Sequence, residues 1–215
     1  CYEQIRNEIG INGHPIVLLG TSTGYDNAPL GPTHHIIDDW GALRNIPGID
    51  IYCPSSVNAA TEVVPKIFSR GRPAYVRIPK GGFEKPESSD DMVLLTGEGK
   101  GVLLISYGSI AQNCLAVQEA DSSVSVLVFN CLRPIDEEAV GKVISGYDKV
   151  FVVEDHFPET GLYSVLCELV VKNGILKKIT SIAPPPVYDL EVGVTPGFYQ
   201  RKFGLDVPGI QKAIL

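Results

Sequence analysis

Two adjacent histidines, His34 and His35, stand in the loop-forming segment Leu30-Gly-Pro-Thr-His-His35, which follows an apolar run. Imidazole groups exchange protons near neutral pH, and a loop position leaves them accessible to a substrate. Because the two residues are consecutive, their side chains diverge in an extended loop, and only one can point into a given site. The segment predicts a proton-transfer group. The alternative is a loop histidine that only hydrogen-bonds to the backbone.

A second cluster, Arg77-Ile-Pro-Lys80-Gly-Gly82, combines cations and glycines at the end of an apolar segment. Arginine can bind a phosphate through two parallel hydrogen bonds, and glycines let the backbone approach an anion. This pattern predicts an anion-binding position, with Arg77 and Lys80 as the candidate cations. The alternative is a basic stretch at the start of a linker.

A third cluster, Glu154-Asp-His156, also follows an apolar segment. An acid and an imidazole this close could form a catalytic pair, but they serve equally well at an interface or a helix start, and we favour that structural role. Another acidic pair, Asp38-Asp39, is interpreted as solvated groups at a helix start. No histidine or cysteine spacing predicts a metal site.

Composition narrows the class of protein. The 215 residues carry a formal net charge of −7 and are 44% hydrophobic, which argues against nucleic acid or an anionic membrane as the main partner. The five cysteines show no C-x-x-C spacing and are predicted to be reduced, buried thiols. No apolar run approaches the roughly 20 residues of a membrane span. We expect a soluble, cytoplasmic protein. Because the chain begins with Cys1, we also expect residues upstream of it.

Apolar periodicity alternates between strand and helix patterns along the chain. Strands are predicted at 15–20, 49–53, 74–78, 102–107, 124–129, 149–153 and 179–182, the first of them buried on both faces. Helices are predicted at 2–9, 36–43, 55–70, 109–119, 136–144 and 161–172. This alternation predicts an α/β fold of two doubly wound, mostly parallel-sheet domains.

The turn-rich residues 81–101 are predicted to be a linker between a domain at 1–80 and a domain at 102–215. Ligands of doubly wound sheets bind at the carboxyl ends of the strands. The loops after Gly20, Ile78 and Val153 are therefore expected to matter most. Each leads into one of the three clusters.

The order of these motifs resembles that of a known enzyme family. The first half is similar to the later part of the pyrimidine-binding domain of transketolases, through the segments 2–7, 31–35, 44–48 and 77–81. The second half is similar to the transketolase C-terminal domain, through the segments 132–136, 153–156 and 203–206. The related deoxyxylulose phosphate synthases show a similar order.

The resemblance implies a thiamine diphosphate enzyme that moves a two-carbon ketol unit between sugar phosphates. It implies that His34 is the catalytic imidazole, beside the thiazolium ring and facing a substrate oxygen, and that Arg77 holds the sugar phosphate. His35, Lys80, Glu154 and His156 remain candidates for the site or an interface.

The resemblance also implies that the chain is incomplete as an enzyme. The first domain is expected to lack its N-terminal part, and the Mg²⁺ ligands are expected in a separate diphosphate-binding domain or subunit. The cofactor site would be shared between chains, in a homodimer or a heterotetramer. We expect this chain to be the C-terminal portion, or the small subunit, of such an enzyme.

Two positions depart from the transketolase pattern. Leu30 stands where an aspartate is usual, and Ser22 stands where another histidine is usual. They support an alternative in which the chain is a catalytically silent, transketolase-like scaffold or regulatory subunit. A stand-alone α/β binding domain unrelated to thiamine is a third alternative.

Overall fold

The structure, a computed structural model, describes residues 1–81 and 83–215. Its strands are β1 (Val17–Thr21), β2 (Asp50–Tyr52), β3 (Ala74–Ile78), β4 (Met92–Leu95), β5 (Val102–Tyr107), β6 (Val124–Phe129), β7 (Cys131–Arg133), β8 (Lys149–Val153) and β9 (Ile179–Ile182). Its α-helices are α1 (Tyr2–Ile5), α2 (Asp39–Leu43), α3 (Val57–Arg70), α4 (Ala111–Ala120), α5 (Glu137–Ser145), α6 (Leu162–Lys172), α7 (Pro196–Lys202) and α8 (Val207–Ile214). The predicted α/β class is confirmed.

The first sheet has the strand order β1-β3-β2-β7. Strands β1 and β2 both pair in parallel with β3, which places their carboxyl ends at the same edge. The prediction that the first strand is buried on both faces is wrong. Strand β1 lies at the edge of the described sheet, and Leu19 is 63% exposed, because an apolar run does not reveal whether both of its faces are covered.

The second sheet has the order β4-β6-β5-β8-β9. Strands β6, β5, β8 and β9 are parallel, and β4 joins β6 in antiparallel pairing at the edge. The predicted linker at 81–101 therefore contains a strand. Its four residues, Met92–Leu95, are surrounded by turn-forming residues that hid them in the sequence. The domain limits themselves stay a prediction.

Strand β7 ties the two halves together. It follows β6 in the chain but pairs antiparallel with β2 of the first sheet. One apolar cluster also spans both sheets, since Trp40 and Ile51 from the first half pack in the same core as Ile105 and Leu166 from the second. The loops at the carboxyl ends of the two sheets are therefore held in a fixed relation.

Local sequence signals explain several helix ends. The Ser56 side chain accepts a hydrogen bond from Ala59 N at the start of α3, and Asp136 does the same for α5. Helix α3 stops at Gly71, which adopts the left-handed conformation that glycine tolerates best. Helices α7 and α8 were not predicted. Each is short and begins with a Pro-Gly pair in its first turn, a signal that is typical of turns.

The described residues include no helix long and apolar enough to cross a membrane. All five cysteines are free, and the side chains of Cys53, Cys114 and Cys131 are buried. The prediction of reduced and mostly buried thiols is consistent with this arrangement.

Candidate functional site

The histidine loop, residues 22–36, leads from β1 towards α2 and closes on itself. Gly24 and Ile36 exchange backbone hydrogen bonds of 2.9 and 2.8 Å at its base. Two 3₁₀ turns, Ala28–Leu30 and Pro32–His34, form its body. Gly31 joins them with a φ of 78°, which favours glycine. The loop is thus held in one shape by its own backbone.

The two histidines of this loop point in different directions, as their consecutive positions predict. His34 is exposed, and its Nδ1 lies 3.0 Å from Thr33 Oγ1. His35 is 6% exposed and meets the rings of Tyr25 and Tyr199 edge-on, at centroid distances of 4.9 and 5.0 Å. Of the two, His34 is the one a substrate could reach.

The ring of His35 is buried between aromatic side chains. Neither of its nitrogens has a hydrogen-bond partner among the described residues. Burial lowers the pKa of His35, because a charged imidazolium would be poorly solvated there. His35 is therefore neutral near pH 7 and supports the loop from beneath.

Arg77 lies at the end of β3 and is 1% exposed. Its Nε donates to both carboxylate oxygens of Asp39 at 3.1 and 3.2 Å, its Nη1 to Asp155 at 3.1 Å, and its Nη2 to Ile36 O at 2.6 Å. Burial alone would lower its pKa, but the charges of Asp39 and Asp155 raise it well above the usual value. Arg77 joins the base of the histidine loop to α2 and to the loop after β8.

This environment bears on the predicted phosphate-binding role of Arg77, which stays a prediction. All three guanidinium nitrogens already donate hydrogen bonds, and two carboxylates balance the charge. Two of its five N–H donors remain unused among the described residues, but Arg77 is 1% exposed, so a phosphate could reach it only after a local rearrangement. The sequence interpretation of Asp39 as a solvated helix-start group is wrong, since Asp39 also accepts a 2.6 Å hydrogen bond from Tyr75.

Lys80 lies against the same loop and is exposed. Its backbone N donates to Asp26 Oδ2 at 2.8 Å, and its Nζ donates to Asn27 Oδ1 at 2.5 Å. Burial raises the pKa of Asp26, although the hydrogen bond from Lys80 opposes this. Lys80 is thus an exposed cation beside the loop that carries His34. Gly82, the last residue of the predicted anion-binding cluster, lies outside the described residues.

Glu154 is buried and fixes the start of α6. It accepts hydrogen bonds from Tyr107 Oη at 3.0 Å, from Leu162 N at 2.9 Å and from Tyr163 N at 3.0 Å. Burial raises the pKa of Glu154 to about 7, and the charge of Asp155 adds to this, against the hydrogen bonds that stabilise the anion. Its favoured structural role stays a prediction.

His156 is fully buried in the same region. Its Nδ1 donates to Phe157 O at 2.9 Å, and its Nε2 has no hydrogen-bond partner among the described residues. That Nε2 lies 3.9 Å from Asp39 Oδ1. Burial lowers the pKa of His156, and the charge of Arg77 acts in the same direction. His156 is thus buried beside Asp39, which accepts hydrogen bonds from Arg77, and it does not face solvent.

Glu154 gives a pH-dependent prediction. Its folded pKa of about 7 is above the ordinary value, so the folded chain keeps a proton that the unfolded chain releases at lower pH. This group contributes about 3 kcal/mol below the unfolded pKa, and the contribution is lost as the pH rises through 7. This pH-dependent loss of stability is measured by urea unfolding of the wild type and of Glu154→Gln between pH 4.5 and 8. The wild type should lose stability relative to the variant as the pH rises. Parallel profiles would contradict the prediction.

The structure brings only some of the predicted site residues together. Arg77, Asp155 and His156 come together beneath the loop, Glu154 lies behind them at α6, and His34 and Lys80 stay at the surface. Sequence reasoning missed Asp39, Tyr25 and Tyr199. Tyr199 carried no signal, because its contact with His35 joins residues from the two ends of the chain.

The resemblance predicts a thiamine diphosphate site in which His34 faces the substrate. The exposed imidazole of His34 is of a chemical type suited to that role. In the part of the chain that the structure describes, no group of three or more His, Cys, Asp or Glu residues could hold a metal ion. That another domain or subunit holds the diphosphate and its Mg²⁺ stays a prediction.

Two family models match most of the chain. The family model of the transketolase pyrimidine-binding domain matches residues 1–85, and that of the transketolase C-terminal domain matches residues 91–208. The chain belongs to the transketolase family.

Relatives in this family include single subunits of larger enzymes. The chain is 31% identical to the apulose-4-phosphate transketolase subunit designated B of Actinobacillus succinogenes, over 80% of this chain and 58% of that protein. It is 25% identical to the protein of the same name from Phocaeicola vulgatus, over 99% of this chain and 70% of that protein. It is 28% identical to 1-deoxy-D-xylulose-5-phosphate synthase of Nitrosospira multiformis, over the whole chain but only 35% of that protein.

A solved structure has the same fold. A split-gene transketolase described as an inactive beta4 tetramer superposes with a TM-score of 0.81, covering 99% of this chain and 71% of that one, at 24% identity. The chain thus spans 58% of the length of the Actinobacillus protein and 71% of this structure.

Proposed function

We propose that this chain is the C-terminal portion or small subunit of a transketolase-like enzyme that transfers a two-carbon ketol unit between sugar phosphates. The proposal rests on one observation above all. In a member of the transketolase family, the only accessible imidazole of the histidine loop is His34, carried on a loop whose base is fixed to both domains through Arg77.

The catalytic role proposed for His34 follows from its surroundings. Thr33 Oγ1 lies 3.0 Å from Nδ1 and orients the ring, so that Nε2 is the nitrogen for a substrate. A side chain of this kind can give a proton to, or take one from, a carbonyl or hydroxyl oxygen as charge develops there. His35 and Gly31 contribute only by holding the loop.

Thiamine diphosphate supplies the carbanion chemistry when bound, and the protein supplies orientation and proton transfer. The cofactor and its Mg²⁺ are proposed to be held mainly by a diphosphate-binding domain or subunit. The names of the two apulose-4-phosphate transketolase relatives, each one subunit of its enzyme, support a split enzyme. The assembly is proposed to be a homodimer or a heterotetramer in the cytoplasm, with the histidine loop facing the partner.

The substrate is proposed to be a phosphorylated sugar. The names of the relatives place apulose 4-phosphate among the compounds to test. For the phosphate, Lys80 offers an exposed ammonium group beside the loop, whereas the guanidinium of Arg77 is buried and would first have to become accessible.

The test is ketol transfer by the full gene product, assembled with its diphosphate-binding partner, thiamine diphosphate and Mg²⁺. Apulose 4-phosphate and a second ketose phosphate serve as donors. We expect transfer when both proteins are present and none with either protein alone. Absence of both transfer and cofactor binding in the assembled complex would defeat the proposal.

A second candidate is a catalytically silent scaffold or regulatory subunit. Leu30 favours it, since an apolar side chain that is 57% exposed occupies the position beside the loop glycine where a sugar-binding acid is expected. Measurable turnover that depends on His34 would rule this candidate out.

A further inference from the structure

A cavity of about 470 Å³ opens where the end of α2, the turn from β7 to α5 and the side of α6 meet. Its floor is apolar, formed by Leu132, Ile135, Val165 and Leu169, with the fully buried ring of Trp40 behind them. No residue of the histidine loop lines it. Its volume lies within the range of small-molecule sites, in which apolar walls surround a few polar groups.

Arg133 is one of the charged groups that line this cavity. Its Nη1 donates to Ile46 O at 2.9 Å and to Arg44 O, which are backbone carbonyls beyond the end of α2. Among the described residues, no carboxylate lies within ion-pair distance of its guanidinium. Unlike Arg77, Arg133 therefore carries a charge that no direct acidic contact balances.

The electrostatic surroundings of Arg133 favour an anion. Burial lowers the pKa of its guanidinium, the negative charge of Asp50 opposes this, and the positive charges of Arg72 and Arg44 lower the pKa further. An anion between Arg133 and Arg44 would relieve this repulsion. The donors of Arg133 other than Nη1 form a planar fork that matches a carboxylate or a phosphate.

Two ion pairs frame the cavity mouth. Arg44 pairs with Glu168 at 2.7 Å, and Lys172 pairs with Glu137 at 2.8 Å. Both acids are exposed, Glu168 to 69%, while Arg44 is 18% exposed, so that water reaches the acidic side of each pair and weakens it. They can open at little cost and turn Arg44 and Lys172 towards an entering anion.

We propose that this cavity binds a small organic oxyanion, a carboxylate or a phosphate monoester carried on an apolar body. Arg133 binds the anionic group, Arg44 supports it after leaving Glu168, and the apolar body lies on Leu132 and Leu169. The site is separate from the histidine loop, and it does not depend on the proposed ketol transfer.

Trp40 provides the measurement, because it is the only tryptophan among the 215 residues and lies behind the cavity floor. Trp40 fluorescence of the full chain is titrated with phenyl phosphate, benzoate, inorganic phosphate and uncharged phenol. We expect a saturable change with phenyl phosphate or benzoate, a weaker one with inorganic phosphate, and none with phenol at equal concentration. The anion that binds more tightly identifies the headgroup.

Variants separate this site from adventitious binding. Arg133→Lys keeps the charge but loses the fork, and should weaken binding by about tenfold or more. Glu168→Gln removes the acid that competes for Arg44 and should tighten binding of the organic anion several-fold. Arg201→Met, an exposed arginine on α7, is the matched control and should leave the titration unchanged. The proposal is overturned if neither organic anion changes the fluorescence saturably, or if Arg133→Lys and Glu168→Gln bind as the wild type does.

Discussion

Replacing Arg77 with methionine should destabilise the fold by about 3–5 kcal/mol, because a buried ion pair is being broken from one side. Asp39 and Asp155 would each lose a guanidinium partner, and Asp155 is 5% exposed. The Ile36 carbonyl at the base of the histidine loop would lose its 2.6 Å donor as well. Urea unfolding at pH 7, followed by circular dichroism, measures the loss.

The matched control for this prediction is Arg201→Met on the exposed face of α7. We expect no measurable shift of its unfolding midpoint, since an exposed side chain loses little on substitution. If Arg77→Met lowers the free energy of unfolding by less than about 1 kcal/mol, the ion pairs of Arg77 with Asp39 and Asp155 do not hold the domains together.

Replacing His34 with alanine should lower the kcat of ketol transfer by about 10²- to 10⁴-fold, the usual contribution of a positioned acid or base. The chain should still fold and assemble, because the side chain is exposed and its hydrogen bond is with the neighbouring Thr33. Steady-state kinetics of the assembled complex measure the change, and thermal unfolding confirms that the fold is intact.

His14→Ala is the matched control for His34→Ala. His14 is also an exposed histidine, paired with Glu8 at 2.9 Å, but it precedes the amino end of β1 instead of following its carboxyl end. The kcat of the assembled complex with His14→Ala should equal that of the wild type. Equal rates in His34→Ala and the wild type would leave the histidine loop without a chemical role.

The sequence predicted most of the secondary structure because its signals were local. The strands at 74–78, 102–107, 124–129, 149–153 and 179–182 were predicted with the bounds that the structure has. Most of them are apolar runs ended by turn residues, and such runs depend little on the rest of the chain. The family assignment likewise rested on the order of the motifs along the chain.

The surroundings of the site residues could not be predicted, because they depend on contacts far apart in the chain. Arg77 and Asp155 are 78 positions apart, and Trp40 and Tyr107 are 67 apart. An arginine at the end of a predicted strand gives the same sequence pattern whether its side chain faces solvent or two buried acids. The edge position of β1 and the transfer of β7 to the other sheet are likewise consequences of tertiary packing.

A replacement series tests most directly whether this chain contributes a catalytic group. The diphosphate-binding partner and the total concentration of this chain are held fixed, while wild-type chain is progressively replaced by His34→Ala. If His34 acts in the shared site, the rate of ketol transfer should fall in proportion to the fraction of variant and end near the background rate. A rate that stays constant across the series would show that the chain serves only as a scaffold.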